Sequence, residues 1–399
     1  MKKILAMLLA LVMVMGLVAC GSKPAETTAP AETTAPAAES NPVESTPETT
    51  APAVSDVEYK IAMITDYGDI TDQSFNQTTY EAVKAFSEAN GVAYNYYKPS
   101  GDSTAERIAM VDAAIVDGYN VIVMPGFAFG ETLAEVADIY PEIKFIALDV
   151  AEGEGGFTAT ENVFSAVYQE ELSGYMAGYA AVKLGYKHLG YLGGMAVPAV
   201  MRFGYGFLQG VDAAAAELGI TNEITVEYVY GNQFYGDADI TAVMDTWYGE
   251  KGVECVFACG GGIWSSAAEA AAKVGGKVIG VDVDQAAIID GQYGEGMTVT
   301  SAMKGLAPTV NTLLTAIVLE DNWAAYAGKI ETLGLVSADP EANYVQIPMA
   351  STQFAEGFTA EDYSALVAAM FEGTVVVSGD ISAFPTTEVA VETYADIKG

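Results

Sequence analysis

Positive charge is scarce in this chain. Only two arginines occur among 399 residues, Arg107 and Arg202, and lysine plus arginine number 17 against 53 aspartates and glutamates. The formal net charge of −36 repels nucleic acid and anionic membrane surfaces alike, so no nucleic-acid partner is expected. Arginine grips carboxylates and phosphates with its planar fork, and its scarcity disfavours an anionic ligand. Histidine occurs once, at His188, and no G-x-S-x-G elbow is present, so serine–histidine hydrolysis lacks its parts. No loop of the G-x-x-x-x-G-K-[ST] type offers a phosphate cradle. The carboxylates of "VDVDQ" have calcium-like spacing without the rest of an EF-hand loop, so neither metal nor cofactor is expected. Three cysteines are present, Cys20, Cys255 and Cys259. On one strand, the last two would stand roughly 13 Å apart, beyond disulfide reach, and they read as buried apolar residues.

What is present begins with an address. Lys2 and Lys3 precede an apolar run from Ile4 to Ala19 that ends in "LVAC". The run is short for a bilayer crossing and reads as a secretory signal, residues 1–19. A small residue followed by Cys20 resembles a bacterial lipobox, with Val18 bulkier than usual at its place. The resemblance implies cleavage before Cys20, a lipid on its sulfur, and a protein held on the outer face of a bacterial cell membrane. Residues 20–56 are mostly Ala, Thr, Pro, Glu and Ser, with "AETTAP" repeated and "PETTAP" following. No apolar face offsets the entropy of ordering, so this reads as a disordered tether. As a coil, about 35 residues span roughly 30 Å.

The remaining part, roughly 340 residues, suits two domains. Short apolar runs such as "KIAMIT", "NVIVMP", "KFIALD", "HLGYLGG", "CVFACG" and "KVIGVD" alternate with longer stretches of helical spacing. That rotation predicts an α/β protein with two doubly wound parallel-sheet lobes. The expected division is 57–168 plus about 304–335 for the N-terminal lobe, and 169–303 plus about 336–399 for the C-terminal lobe. "FTAEDYSALVAAMFEG" reads as a late helix with Thr359 as its N-cap, and "TVVVSG" as a final strand. Ligands of such sheets bind outside the carboxyl ends of the strands. Just past the strands stand Asp66, Gly126, Phe127, Asp149, Phe234, Gly261, Asp282 and Lys304, which predicts a lined cleft. Asp69 and Asp72 read as turn and capping residues.

"ITDYGDITDQSFNQTTYEAV", "VIVMPGFAFGETLAEVADIYPEIKFIALD", "QEELSGYMAGYAA", "YLGGMAVPAVMRFGYGFLQGV" and "KVIGVDVDQ" carry a family likeness. They resemble the basic membrane protein family, lipid-anchored substrate-binding proteins of ABC importers that include purine nucleoside receptors. The resemblance implies a type I periplasmic binding protein fold, two lobes joined by a hinge, and a monomer without enzymatic activity. In "SFNQ", which holds Ser74, Phe75 and Asn76, it implies that Phe75 stacks on a purine ring. Phe234 is the candidate for the second ring, with Tyr235 or Trp264 as alternatives. Asp66 and Asn76 would face the base, and Asp149, Asp282 and Lys304 the sugar. The sequence departs from the family at Trp264 of "GGGIWSS" and Tyr67 of "DYGD", where smaller residues are usual. The implied partners are a neutral nucleoside and the permease and ATPase of an importer. A neutral sugar or sugar-like signal remains the alternative ligand, and a surface sensor or adhesin the alternative role.

Overall fold

The computed structural model describes residues 57–66 and 68–399. The expected signal, Cys20, the tether and Tyr67 lie outside the described residues. The chain alternates strand and helix: β1 (Lys60–Ile64), α1 (Phe75–Asn90), β2 (Ala93–Tyr97), α2 (Thr104–Val116), β3 (Val121–Pro125), α3 (Phe129–Val136), β4 (Lys144–Leu148) and β5 (Val163–Tyr168). Then come α4 (Glu170–Lys183), β6 (His188–Gly193), α5 (Pro198–Leu218), β7 (Thr225–Tyr230), α6 (Ala238–Thr246), β8 (Cys255–Cys259), α7 (Trp264–Val274), β9 (Lys277–Asp282), α8 (Ala286–Tyr293) and β10 (Thr298–Lys304). The last elements are α9 (Leu306–Leu314), β11 (Lys329–Leu333), β12 (Val345–Gln346), α10 (Ala360–Phe371) and β13 (Ala390–Thr393).

Two sheets result. The first runs β11-β5-β4-β3-β1-β2 and the second β12-β10-β9-β8-β6-β7-β13. Every pairing between these strands is parallel except β12 against β10. Helices explain the near-continuous apolar strands: β3 and β8 are buried at every residue, as a central parallel strand covered on both faces must be. Cys255 and Cys259 both lie buried on β8 without a disulfide.

The chain crosses between the sheets three times: β5 to β6, β10 to β11, and β11 to β12. Although α9 follows a strand of the second sheet, its Leu306, Val310 and Leu313 pack with Ile61 and Met63 of the first sheet and Val83 of α1. The crossing segments are laced to one another. Gly305 N donates to Tyr344 O at 2.7 Å, Tyr344 N to Gly334 O at 3.0 Å, and Gln169 N to Leu333 O at 3.0 Å.

Helices α4 and α5 cross at backbone contact. A Cβ on Gly174 would lie 2.2 Å from Phe203 O, and one on Gly206 would lie 2.1 Å from Glu171 O. Only glycine admits this approach, which brings the first turn of α4 beside Arg202 and Phe203. Helix α10 starts at Thr359 with a capping box to Asp362, as its sequence predicts.

One expected strand is absent from its place. "TVVVSG" forms no sheet; Val375 and Val377 instead pack on the second sheet's core, and Ser378 exchanges hydrogen bonds with Gln209 of α5. The open edge beside β7 is filled later by β13. A run of β-branched residues fits an extended strap as well as a strand, and tertiary contacts decided between them. "NYVQIPM" likewise pairs over only two residues, and Pro348 beyond them has no N–H to continue a ladder. Among the described residues, no helix is long and apolar enough to cross a membrane.

Candidate functional site

The loops following the strand ends of both sheets line a gap between them. Its first-sheet wall starts with Asp66, whose Oδ1 accepts from Gly68 N and from Asn76 Nδ2, each at 3.1 Å. Gly126, with φ of 128°, follows β3 so closely that a Cβ there would come within 2.3 Å of Asp66 Oδ2. Helix α1 is opened by Asp72, which accepts the N–H groups of Ser74 (2.9 Å), Asn76 (2.9 Å) and Gln77 (3.0 Å). Burial pushes the Asp72 carboxyl up while these bonds pull it down. Because Asp72 caps the helix, the Ser74 hydroxyl is free to donate across the gap to Asp282 Oδ2, at 2.5 Å.

Asp149 and Asp282 stand immediately after β4 and at the end of β9 with φ of 62° and 66°. Left-handed backbone is costly for a non-glycine residue, and both sheets hold an aspartate this way at the gap. Lys304 ends β10 and is buried. Its ammonium pairs with Asp149 of the first sheet and lies 3.6 Å from Glu170 Oε1 and 3.7 Å from Asp282 Oδ1. It also lies 4.6 Å from the centre of the Phe75 ring, and 5.6 Å from those of Phe203 and Tyr168. Burial alone would strip its charge, but Asp149, Asp282 and Glu170 override that and hold its pKa above the usual lysine range. Burial pushes the Asp149 carboxyl up to about 7 against the pull of Lys304. Its Oδ1 accepts no hydrogen bond within the protein.

The second-sheet wall carries Phe234, on the loop after β7. Its ring lies against Gly194, where a Cβ would come within 2.5 Å, and its carbonyl accepts from Gly262 N at 2.8 Å. Asp66, Phe75, Asn76, Gly126, Phe127, Asp149, Phe234, Gly261, Asp282 and Lys304 all line the gap, and Ser74 joins them through Asp282. Trp264 stands apart. It is 4% exposed, packs edge-on to Tyr293 at 6.4 Å between ring centres, and belongs to the core behind the second sheet. Tyr235 is 62% exposed.

Several participants escaped the sequence reading. Phe203 lines the gap, and Glu170 lies fully buried beside it, accepting Arg202 Nε at 2.6 Å while facing Lys304. The signal for them is faint: an acid pair, Glu170-Glu171, opens a helix with only one other charged residue, Lys183. Neither arginine lines the gap, and Arg107 pairs with Asp102 at 2.9 Å.

Comparison with known proteins follows the geometry. A similar chain is the ABC transporter nucleoside-binding protein BmpA of Lactococcus lactis, 28% identical over 239 residues, covering 57% of this chain and 64% of that one. The chain thus spans less than two thirds of that relative's length. Basic membrane protein B of Borreliella afzelii is 27% identical over 292 residues, 69% of this chain and 78% of that one. Among solved structures, an ABC transporter solute-binding protein from Aeropyrum pernix matches with a TM-score of 0.62 at 23% identity, covering 80% of this chain and 87% of that one. That likeness establishes the fold, the two-sheet α/β architecture of type I periplasmic binding proteins. The model of the family described as "ABC transporter substrate-binding protein PnrA-like" matches residues 59–338, and the chain belongs to that family.

Proposed function

We propose that this protein captures a neutral nucleoside, a purine nucleoside, between its two sheets and delivers it to the permease of an ABC importer. One observation carries the reading: phenylalanines from both sides, Phe75 and Phe234, share a gap with buried carboxylates and a single ammonium already matched by three of them. A nucleoside is flat, uncharged and rich in hydroxyl donors. Stacking contributes roughly 1–3 kcal/mol per base. Each hydroxyl given to an ionised carboxylate adds about 1.5–3 kcal/mol. Asp149 Oδ1, buried and without a donor, is suited to a ribose hydroxyl. An anionic ligand would meet Asp149, Glu170 and Asp282, whose charges already occupy Lys304 and Arg202.

The mechanism is a hinged trap acting as a monomer. Its lobes are 57–168 plus about 304–335 and 169–303 plus about 336–399, and the three crossings form the hinge. Besides the Lys304 ion pairs, Ser74 to Asp282 and Gln285 Nε2 to Gln73 O at 3.0 Å join the lobes across the gap. Ligand favours this arrangement only if it touches both sides, as a nucleoside between Phe75 and Phe234 does. Cys20 carries the lipid, and the tether keeps the loaded protein near its permease by raising effective concentration.

Calorimetry with adenosine, guanosine, inosine, uridine, adenine and ribose tests the reading. Purine nucleosides should bind more tightly than free adenine or ribose. Heat with ribose alone would move the assignment to a sugar.

A further inference from the structure

The loop that presents Phe234 is tied at both of its feet to one residue far along the chain. Strand β13 runs beside β7, and the chain after it keeps to the same edge: Tyr394 N donates to Tyr228 O at 3.0 Å and Ile397 N to Tyr230 O at 2.9 Å. The near end of this segment is anchored. The Tyr394 hydroxyl donates to the buried Glu227 carboxylate, which also accepts Lys251 Nζ at 3.0 Å and lies 3.0 Å from His188 Nε2. The far end clasps the loop. Lys398 O accepts from Asn232 Nδ2 at 2.9 Å, while Lys398 Nζ pairs with Asp237 Oδ2 at 2.7 Å and with Asp239. The other oxygen of Asp237 caps α6, accepting Asp239 N and Ile240 N at 3.0 Å each. Asn232 and Asp237 bracket the four residues that include Phe234, so the backbone and the side chain of Lys398 fix the two ends of that segment. Asn232 turns the chain with φ of 58°, a left-handed backbone that asparagine adopts at some cost. The ring itself rests on glycine backbone: a Cβ on Gly194 would come within 2.5 Å of it and one on Gly260 within 3.1 Å. A glycine floor supports a ring without setting its tilt. Gly262 N pins the middle of the loop through Phe234 O, and the two feet set the course of the backbone on either side of that pin.

We propose that Lys398 is a positioning residue for ligand capture: by clasping Asn232 and Asp237 it sets the plane in which Phe234 meets the base. This rests on the nucleoside reading and deepens it, assigning one half of the stack to a segment beyond residues 59–338, the part matched to the family. Lys398 does not line the gap and acts only through the loop. Stacking depends on the relative tilt and offset of the two planes. A ring already held in its bound orientation costs the ligand no ordering, whereas a loosened loop must be ordered at each capture. The polar groups of the gap are untouched by the clasp, so its loss bears on the stack alone.

The test is calorimetric titration of the full chain with adenosine and guanosine, repeated on Lys398→Met, Asn232→Gly, the two combined, and Lys398→Arg. Asn232→Gly keeps the left-handed turn, which glycine adopts freely, and deletes only the amide that reaches Lys398. Losing a stacked ring altogether weakens binding roughly 5- to 150-fold, and the combined variant should lose about fivefold or more. Lys398→Arg keeps a cation between the two aspartates and should bind as the parent does. In a Phe234→Ala background the combined variant should change affinity by less than about twofold, because the ring it positions is gone. A merely structural role would lower affinity equally in both backgrounds. Should the combined variant fail to fold, each single variant carries the same comparison. An equal loss in both backgrounds would overturn the proposal, as would parental affinity in the combined variant. Either result leaves the nucleoside reading standing, whereas an unaltered protein that binds neither nucleoside ends both.

Discussion

Lys304→Met removes the ammonium that faces Asp149, Glu170 and Asp282, leaving Arg202 on Glu170 alone, while keeping an apolar stem against Phe75, Phe203 and Tyr168. Glu170 and Asp282 lie 3.6 and 3.7 Å from the ammonium. At those separations and an effective dielectric of about 20, each attraction is worth roughly 4–5 kcal/mol gross. Burying the ammonium costs several kcal/mol in return, so deleting it should destabilise the fold by about 3–5 kcal/mol, as for other broken buried pairs. That is a large share of a typical total of about 5–15 kcal/mol. The deficit should depend on pH with a definite sign. Without the ammonium, the Asp149 carboxyl, which burial already pushes up to about 7, holds its proton in the folded chain at pH values where the unfolded chain has released it. Stability of the variant therefore rises as pH falls from 8 toward 5, and its distance from the parent shrinks. Urea denaturation of both proteins at pH 8 and pH 5 measures this. A deficit below about 1 kcal/mol at pH 8, or one that ignores pH, would refute the view that Lys304 neutralises this cluster.

Phe75→Ala should cost about 1–3 kcal/mol of nucleoside affinity by calorimetry, and unchanged affinity would remove Phe75 from the stack. Glu171 is buried, and burial pushes its carboxyl from 4.5 up to about 7. A folded pKa above the unfolded one favours the fold at low pH, and that contribution is lost as pH rises through about 7. Glu171→Gln should therefore stabilise the protein by up to about 3 kcal/mol at pH 8 and by little at pH 5, and a gain of equal size at both would contradict the assignment. Cys20→Ser should move the protein from the membrane pellet to the soluble fraction of fractionated cells, and persistent pelleting would argue against the lipid anchor.

The parts of the site legible in the sequence are those fixed by local chain direction. Asp66, Gly126, Asp149, Asp282 and Lys304 each lie at or within two residues of the carboxyl end of a parallel strand, so the strand pattern alone put them at the gap. Glu170 and Arg202 were invisible because they sit on different helices and their pairing depends on how closely α4 and α5 cross, a matter decided by Gly174 and Gly206. Trp264 follows a glycine loop, as a gap residue might be expected to do. It begins α7, however, and shares a face with Ala267, Ala268 and Ala271, so helical spacing turns its ring into the core. Ser74 was legible as part of a motif, but its role as a donor to the opposite sheet required Asp72 to relieve it of capping.

The lacing of the three crossings constrains how the trap works. Segments bonded edge to edge, Gln169 to Leu333, Gly334 to Tyr344 and Tyr344 to Gly305, make a narrow ribbon rather than three loose strings. A ribbon bends readily about its width but resists shear and torsion within its plane, so in the trap proposed above the halves would swing like the covers of a book rather than slide past each other. Each such swing would return the Ser74 hydroxyl to the same carboxylate oxygen of Asp282.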